Sequence, residues 1–326
     1  MPKPRRISLT EIAGLCCALV LAAALARPAA AQDAALGIDA ARQRALELVN
    51  ESRRAQKLPP LALEPKLNQA AMRHALDMLK RNFYAHNTPE GKTPADRYQA
   101  VGGSKWMLTA ENIARCETCR PPVTDAVLRR LQDGWMNSPG HRANILRKGL
   151  TTFGYGIVMD AKGGMYAVQN FAGPGTSDDA KGPADGGKAI PQEEQAQLAL
   201  EAINKERGKA GRAPLKFSQA LTQAARALAP PSSVSTFGQQ KPPPLFDLMP
   251  DSERENWDGL AMVAAICGGC GLAPAAADVG RFTAQWFRNP SYSETLLDAE
   301  STHLGFTVSA NGEGKKVGIG LLGKAN

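Results

Sequence analysis

The segment Trp135–Leu146 reads WMNSPGHRANIL, and the segment Trp286–Leu297, 151 residues further along, reads WFRNPSYSETLL. Each begins with Trp, carries a polar residue before a proline, and ends with Leu. They differ at one chemically important position, since His141 in the first segment corresponds to Tyr292 in the second. The chain therefore contains an internal repeat whose two copies keep the same pattern, while one of them lacks a histidine.

The repeat extends in both directions from this segment. Towards the N-terminus, ALELVNESRRAQKLPPLAL from Ala45 matches ALEAINKERGKAGRAPLKF from Ala199. The apolar residues of both recur at helical spacing, which predicts an amphipathic helix, a short loop, and a second helix from about Glu64 or Ser218. Towards the C-terminus each copy has two alternating segments, FGYGIVMD with MYAVQNFA and LGFTVSA with KVGIGLLG, that predict antiparallel strands. Each copy is therefore expected to be an α+β domain.

Length and composition divide the chain near its middle. Its 326 residues exceed the size at which single cores stop growing. Residues 172–191, AGPGTSDDAKGPADGGKAIP, have no apolar periodicity and predict a flexible linker. We therefore expect a signal peptide over residues 1–31, a first domain over 38–171, the linker, and a second domain over 192–325.

The N-terminus has the pattern of a secretory signal peptide. Basic residues at positions 3, 5 and 6 precede an apolar run over residues 12–26, which three alanines at 29–31 follow. The run is shorter than the roughly 20 residues that span a bilayer, so the mature chain is expected to have no transmembrane segment. We expect a periplasmic or secreted protein. The Sec route is favoured over the twin-arginine route, because the residues after Arg5-Arg6 fit the latter pattern poorly.

The charge of the chain argues against a nucleic-acid partner. Its formal net charge is +8 at pH 7, but Lys and Arg are scattered, without a basic run interleaved with aromatic residues. A mild basic bias suits anionic polymers of the cell surface instead. The chain also lacks the GxSxG, P-loop and dinucleotide-binding patterns of several common enzyme classes.

Four segments of the first copy resemble the CAP or SCP superfamily, which is named for cysteine-rich secretory proteins, insect antigen 5 and plant pathogenesis-related proteins. The segments are NFYAHNTPEGKTPADR (Asn82–Arg97), AENIA (Ala110–Ala114), WMNSPGHRANIL, and FGYGIV with YAVQNF, and they look like the secreted bacterial branch. The resemblance implies an α-β-α sandwich with a surface cleft where two histidines and two acidic residues meet. It also implies a lipid, sterol-like or cell-envelope ligand, and it leaves a divalent metal open.

The resemblance places three of the four cleft residues in this chain. His86 stands at the family's first histidine, Glu111 at the acid of its GEN motif, and His141 at its second histidine. Ser138 occupies the fourth position, where other branches have glutamate, and Ala110 stands where the family usually has glycine. The pair of acids that general acid and base catalysis would use is incomplete, which favours a function other than catalysis.

The residues around His141 independently favour a site. Ser138 is a good N-cap and Pro139 suits the first helical position, so His141 falls in the first turn, where the helix dipole disfavours a charged imidazole. Two neutral histidines and one carboxylate form a known zinc ligand set, so His86, Glu111 and His141 are candidate ligands of a divalent metal such as zinc. The alternative is that the two histidines only form hydrogen bonds between loops.

The second copy lacks these candidate ligands. Tyr292 stands at the position of His141, and Met262 stands at the position of Glu111. A proline-rich segment, ALAPPSSVSTFGQQKPPPLFDLMP, replaces the one that carries the first histidine. The polar residue and the proline that begin the helix are kept. We therefore interpret the second domain as a degenerate copy that serves as a scaffold, a partner surface or a cover for the first.

Four cysteines follow the signal segment, as one CxxC pair in each copy. Cys116 and Cys119 in the first copy match Cys267 and Cys270 in the second. Matched placement in an oxidising compartment favours a local disulfide in each copy. Two alternatives stay open: a zinc site that all four thiolates share across a domain interface, and redox-active or cross-domain disulfides.

Three functions are compatible with these observations. The first is a secreted CAP/SCP protein that binds a lipid-like or cell-envelope ligand in the first-domain cleft, with or without a divalent metal. The second is a metal-dependent hydrolase that acts on peptides or envelope polymers. The third is a structural or interaction protein whose clefts are inert. The two remaining histidines, His74 and His303, are interpreted as packing residues.

Overall fold

The computed structural model describes residues 34–117, 119, 121–161, 163–177 and 187–326. The expected signal peptide, residues 1–31, and the middle of the expected linker, residues 178–186, lie outside these residues. No helix in the described part of the chain is long and apolar enough to span a membrane.

The first half of the chain folds as helices around a four-stranded sheet. Its elements, in chain order, are α1 (Ile38–Ala55), β1 (Ala62–Leu63), α2 (Pro65–Arg81), α3 (Pro94–Ala100), β2 (Leu108–Cys116), α4 (Asp125–Asn137), α5 (Pro139–Ile145), β3 (Thr152–Met159) and β4 (Met165–Gly173). The strand order is β1-β3-β4-β2, with β4 antiparallel to both β2 and β3. The two-residue strand β1 runs parallel to β3 and was not predicted, because so short a strand shows no alternation.

Helices cover both faces of this sheet. On one face, Val49 of α1 and Leu128 of α4 share an apolar cluster with Phe153 of β3. On the other face, Met78 of α2 packs with Val168 of β4. All nine residues of β4 are buried, as expected for a strand with a helical layer on each side. The fold is the α-β-α sandwich of the α+β class that the sequence predicted.

The second half repeats this arrangement. Its elements are α6 (Gln192–Lys209), β5 (Lys216–Phe217), α7 (Gln219–Leu228), β6 (Trp257–Cys267), α8 (Ala276–Arg288), α9 (Pro290–Leu296), β7 (His303–Ala310) and β8 (Lys316–Ala325). The strand order β5-β7-β8-β6 is that of the first sheet. Three short 3₁₀ segments lie between α7 and β6, where the sequence has its proline-rich segment.

Matched glycines bring one helix of each half directly onto the sheet backbone. A Cβ at Gly154 of β3 would lie 2.2 Å from the carbonyl carbon of Leu67 in α2. A Cβ at Gly305 of β7 would lie 2.2 Å from the carbonyl carbon of Leu221 in α7. No side chain fits at either position, which explains why both copies have glycine there.

The start of the second helix in each half lies where the sequence predicted it. Helix α2 begins at Pro65, immediately after its N-cap residue Glu64. Helix α7 begins at Gln219 after Ser218, whose hydroxyl accepts a hydrogen bond from the amide of Leu221 at 3.2 Å. Polar residues that precede an apolar helical face therefore mark both starts.

The described ends of the expected linker contact the second half. The backbone of Gly175 pairs with that of Cys270, and the amide of Gly271 donates to the carbonyl of Pro174 at 2.8 Å. Further on, the backbone of Ala189 pairs with that of Ala275. The composition of residues 172–191 predicts flexibility, but backbone hydrogen bonds hold residues 174–175 and 189–190, and Ile190 also packs against the core of the second half.

Candidate functional site

Strand β2 carries the carboxylate at the centre of the candidate site. Glu111 lies on β2 opposite Asn170 of β4, with its side chain only 1 % exposed. His86 lies in the loop between α2 and α3, and its Nδ1 is 3.0 Å from Glu111 Oε1. The structure therefore joins two of the residues that the sequence singled out.

Arg97, from the first turns of α3, compensates the charge of this carboxylate. Its Nη2 donates to Glu111 Oε2 at 2.6 Å, and its Nη1 donates to the carbonyl of His86 at 2.8 Å. With its amide oriented to satisfy both of its partners, Asn170 donates to the same oxygen, Oε2, at 3.0 Å. Because a buried carboxylate requires a partner of opposite charge, Arg97 is what stabilises Glu111 at this position.

The same contacts fix the orientation of His86. Its side chain is 51 % exposed, whereas that of Glu111 is 1 % exposed. An Nδ1–H that donates to the carboxylate leaves Nε2 as the acceptor nitrogen of the neutral ring. His86 can therefore present a hydrogen-bond acceptor, on a ring held by Glu111, to a molecule in the cleft.

His74 lies beneath this pair, on α2. Its Nε2 donates to the carbonyl of Ala85 at 3.0 Å and is 3.9 Å from Glu111 Oε1. Burial lowers the pKa of His74, so the neutral ring is favoured. The sequence analysis expected a packing residue on the helix surface or half-buried, whereas His74 is 1 % exposed and lies 3.9 Å from the carboxylate of the site.

His141 lies in the first turn of α5, as predicted. Ser138 is the N-cap residue of this helix, but its side chain makes no capping hydrogen bond. Burial lowers the pKa of His141, and repulsion from His86 when that ring is protonated lowers it further. Both causes favour the neutral imidazole that the sequence analysis expected at this position.

A buried amide network connects α5 to β2. The side-chain N–H of Asn144 donates to the carbonyl of Glu111 and to Asn112 Oδ1, both at 3.0 Å. Asn112 donates in turn to the carbonyl of His141 at 3.2 Å and to Gln169 Oε1 at 3.1 Å. These contacts place the segments that carry Glu111 and His141 side by side.

A comparison of the two sequence copies points to this network, and the region of family resemblance contains Arg97. Val263 and Thr295 stand in the second copy where Asn112 and Asn144 stand in the first. The two asparagines therefore disappear from the repeat together with the histidines. Arg97 itself ends the quoted segment NFYAHNTPEGKTPADR, within the region of resemblance.

The cleft holds His86 and Glu111 but not all of the candidate residues. A cavity of about 340 Å³ is lined by His86, Thr93, Pro94, Ala95, Thr109, Ala110 and Glu111. Ser138 and His141 are not part of this lining. The structure therefore brings the carboxylate and the first histidine into one cavity, while the segment that carries His141 is linked to β2 through the hydrogen bond from Asn112 to the His141 carbonyl.

The zinc set that the sequence suggested does not fit this arrangement. Among the residues that the structure describes, no three His, Cys, Asp or Glu side chains lie together as a metal site. The cationic guanidinium of Arg97 lies 2.6 Å from one carboxylate oxygen of Glu111, and His86 Nδ1 takes the other at 3.0 Å. A dication would have to displace both partners and would lie beside a fixed positive charge. We derive no chemistry through a metal.

The corresponding region of the second half has apolar residues at the two matched positions. Met262 and Tyr292, which stand at the positions of Glu111 and His141, line one cavity of about 490 Å³. Phe237 and Pro242 of the proline-rich segment line the same cavity, together with polar residues such as Gln240 and Lys241. At the N-cap of α9, Asn289 accepts hydrogen bonds from the amides of Ser291 and Tyr292, so the helix start is kept.

Both CxxC pairs form local disulfides. Cys116 is bonded to Cys119, and Cys267 is bonded to Cys270. This is the pairing that the matched positions of the CxxC pairs in the two copies predicted. Among the described residues there is neither a zinc site shared by the four thiolates nor a disulfide between the domains. The second disulfide loop contacts the first domain, since the amide of Gly269 donates to the carbonyl of Trp106 at 2.7 Å.

Comparison with known proteins identifies relatives of both halves. Residues 46–171 and 200–321 match the cysteine-rich secretory protein family. The uncharacterized protein YkwD of Bacillus subtilis (strain 168) is 32 % identical over 136 residues, which cover 42 % of this chain and 48 % of YkwD. The uncharacterized membrane protein YlbC of the same organism is 29 % identical over 126 residues, which cover 39 % of this chain and 32 % of YlbC. The chain thus spans about half the length of YkwD and about a third of YlbC.

Two solved structures are also similar to parts of this chain. An extracellular SCP-domain protein from Bacillus anthracis is 31 % identical, with a TM-score of 0.34 over 42 % of this chain and 44 % of that chain. The structure of Na-ASP-1 is 10 % identical, with a TM-score of 0.37 over 92 % of both chains. The family matches extend over more than half of the chain. This protein therefore belongs to the cysteine-rich secretory protein (CAP) family and carries two tandem copies of its domain.

Proposed function

We propose that the protein acts in the periplasm or outside the cell and binds a cell-envelope ligand in the cleft of its first domain. Two disulfides support an oxidising compartment, and the N-terminal sequence has the pattern of a signal peptide. The similar SCP-domain protein from Bacillus anthracis is described as extracellular. The metal-free cleft is the binding site in this proposal.

The contact between His86 and Glu111 is the observation that carries the proposal. The Glu111 carboxylate is 1 % exposed and paired with Arg97, and it holds an imidazole that is half-exposed to the cleft. The carboxylate fixes the ring in the absence of ligand, so little ordering of the ring is needed on binding. The floor of the cleft is thus prepared for a polar contact.

The chemistry of the cavity favours a polar part of the ligand. His86, Glu111 and two threonines, Thr93 and Thr109, line it together with small apolar residues. A sugar hydroxyl or a peptide amide can donate to His86 Nε2, whereas an acyl chain offers this nitrogen no donor. We therefore favour a glycan or peptide portion of the envelope over a purely lipid-like ligand.

The hydrolase alternative has less support from the site. Both carboxylate oxygens of Glu111 already accept hydrogen bonds, and one of them accepts from a guanidinium. The Glu111 side chain is 1 % exposed, which limits the access of a substrate water to it, and Ser138 supplies no second acid. The arrangement suits recognition better than bond cleavage.

Retention on purified envelope material tests the proposal. The full mature chain is incubated with peptidoglycan sacculi and, separately, with liposomes made from extracted bacterial lipids. We expect retention on sacculi that falls about tenfold or more in His86→Gln, because one anchoring hydrogen bond and the ring that makes it are lost.

The matched control is Met262→Gln, at the position in the second domain that corresponds to Glu111. Its retention should equal that of the wild type. Equal retention of wild type and His86→Gln would contradict the proposal, as would the absence of retention on both materials. Retention on liposomes alone that depends on His86 would instead favour the lipid-like ligand.

A further inference from the structure

The second domain keeps a cavity at the position of the first-domain cleft. Its volume is about 490 Å³, which lies in the usual range for small-molecule sites. Met262 and Tyr292, the counterparts of Glu111 and His141, both line it. The sequence analysis interpreted this domain as degenerate because the candidate ligands are missing. The structure shows that the cavity itself remains, with a different lining.

Apolar side chains on β6 form one side of this cavity. Met262, Ala264 and Ile266 lie at alternate positions of the strand and therefore on one face of the sheet. The counterparts of Met262 and Ile266 in the first copy are the charged residues Glu111 and Arg115. Ile266 is 36 % exposed, so part of this apolar surface is in contact with water. A ligand that covers it removes apolar surface from water, which favours an apolar ligand.

The proline-rich segment contributes much of the remaining lining. It provides the rings of Phe237, Pro242 and Pro243. The hydroxyls of Ser233 and Thr236, which also line the cavity, each donate to a carbonyl of their own segment, at 3.2 Å and 3.1 Å. Because these hydroxyls already have an acceptor, they do not require one from a ligand. This part of the lining therefore also suits the apolar body of a ligand.

Hydrogen bonds hold the proline-rich segment against the turn between β7 and β8. Lys315 Nζ donates to the carbonyls of Ser235 and Phe237, both at 3.2 Å, and the side chain of Asn311 donates to Ser235 Oγ at 3.1 Å. Val234 of the same segment is 0 % exposed and packs in the core of the second domain. The backbone that carries Phe237 is thus fixed by the fold, so little ordering of this segment is needed on binding.

Lys241 adds a positive charge to this lining. It is exposed, and among the described residues that line the cavity it is the one charged side chain. An ammonium group beside an apolar cavity, with no carboxylate in the described lining, attracts a negatively charged group. The cavity therefore combines an apolar surface with a single cationic contact.

We propose that the second-domain cavity binds an amphipathic anion, a molecule with an apolar body and one acidic group. The apolar body covers Met262 and Ile266 and contacts Phe237, while the acidic group pairs with Lys241. Aliphatic and aromatic carboxylates share this chemistry. The site is independent of the polar cleft proposed above for envelope material, and it gives the second domain a ligand of its own.

Titration of the full mature chain with anilinonaphthalene sulfonate, whose fluorescence rises in an apolar site, tests the apolar part of the proposal. We expect saturable binding whose affinity falls about tenfold or more in Ile266→Glu, because this change places a negative charge in the apolar lining. Ile266 is partly exposed, so the new carboxylate can reach water and the fold is kept. Phe217→Glu is the matched control, since Phe217 is 43 % exposed and lies outside the cavity, and it should bind within about twofold of the wild type.

A second pair of variants tests the contact with the acidic group. Lys241→Gln should weaken binding of the same probe about fivefold. Lys205→Gln removes an equal charge from an exposed helical position outside the cavity and should bind as the wild type does. An unchanged affinity in either Ile266→Glu or Lys241→Gln would overturn the proposal, and so would an equal loss in a variant and its control.

Competition distinguishes the two kinds of amphipathic anion. Displacement of the bound probe by dodecanoate would support an aliphatic ligand, and displacement by naphthoate alone would support an aromatic one. In both cases the displacement should require a higher concentration of competitor in Lys241→Gln. A wild type from which neither competitor displaces the probe would overturn the proposal.

Discussion

Arg53 and Arg207 occupy the same buried position in the two domains and make the same contacts. Arg53 Nη1 donates to the carbonyls of Ile145 and Arg147 at 2.8 Å and 3.0 Å. Arg207 Nη1 donates to the carbonyls of Leu296 and Asp298 at 2.7 Å and 3.0 Å. Each guanidinium therefore donates to carbonyls at the C-terminal end of a short helix. That helix is α5, with His141, in the first domain and α9, with Tyr292, in the second.

Replacement of Arg53 should destabilise the first domain selectively. Arg53→Ala leaves the carbonyls of Ile145, Arg147 and Pro59 without a buried donor, so we expect a loss of about 3 kcal/mol or more in the free energy of unfolding. Urea unfolding with spectroscopic detection measures it. Arg207→Ala should weaken the second domain by a similar amount. A change below about 0.5 kcal/mol in both variants would show that these contacts contribute little.

The docking of the two domains depends on a backbone contact that only glycine permits. Gly175 has a φ of +77°, and its Cβ would overlap the carbonyl of Gly269. Gly175→Ala should therefore separate the domains and raise the radius of gyration measured by small-angle scattering. Gly91→Ala is the matched control, because Gly91 has a φ of +81° but nothing within 4 Å of its Cβ. Both variants carry a backbone cost of about 1 kcal/mol, and identical scattering from both would contradict the docking argument.

Acid should destabilise the first domain through His74. Burial lowers the folded-state pKa of His74 below its unfolded value of about 6.5. The unfolded chain therefore binds more protons as the pH falls below about 6.5, and the stability that the neutral ring provides is lost progressively. His74→Gln does not titrate in this range, so it should lose less of its free energy of unfolding between about pH 7 and pH 5. Parallel losses in wild type and variant would show that another group is responsible.

Zinc should not bind at His86, Glu111 and His141 while Arg97 is paired with the carboxylate. We expect the full mature chain, purified without chelators, to contain no stoichiometric zinc, and added zinc to leave its Tm unchanged. His141→Ala should give the same result. About one zinc per chain in the wild type, lost in His141→Ala, would contradict the conclusion drawn from Arg97.

Local patterns predicted the first two helices and the last two strands of each domain, because such patterns depend on neighbouring residues. The period of the apolar residues predicted α1 and α6, and the alternation in FGYGIVMD predicted β3. Ser138 and Pro139 marked the start of α5, although the cap hydrogen bond itself is not made. The helices and strands with a clear local pattern in both copies were therefore predicted from the sequence.

Contacts between distant segments were the part that the sequence did not reveal. Arg97 reaches Glu111 only because α3 packs beside β2, and no spacing in the chain encodes that distance. The contact of Gly175 with Gly269 likewise depends on two segments that are far apart in the chain. In residues 172–191, low apolar content predicted flexibility, whereas backbone hydrogen bonds hold the described ends of this segment.

Histidine NMR on the full mature chain tests most directly whether the first-domain cleft is the binding site. The chain has four histidines, His74, His86, His141 and His303, so each ring can be assigned by single substitution. On addition of soluble peptidoglycan fragments, we predict that the signals of His86 and His141 shift while that of His303, in the second domain, does not. A shift of His303 alone, or fragments bound with no change at His86, would contradict the assignment of the ligand site to the first domain.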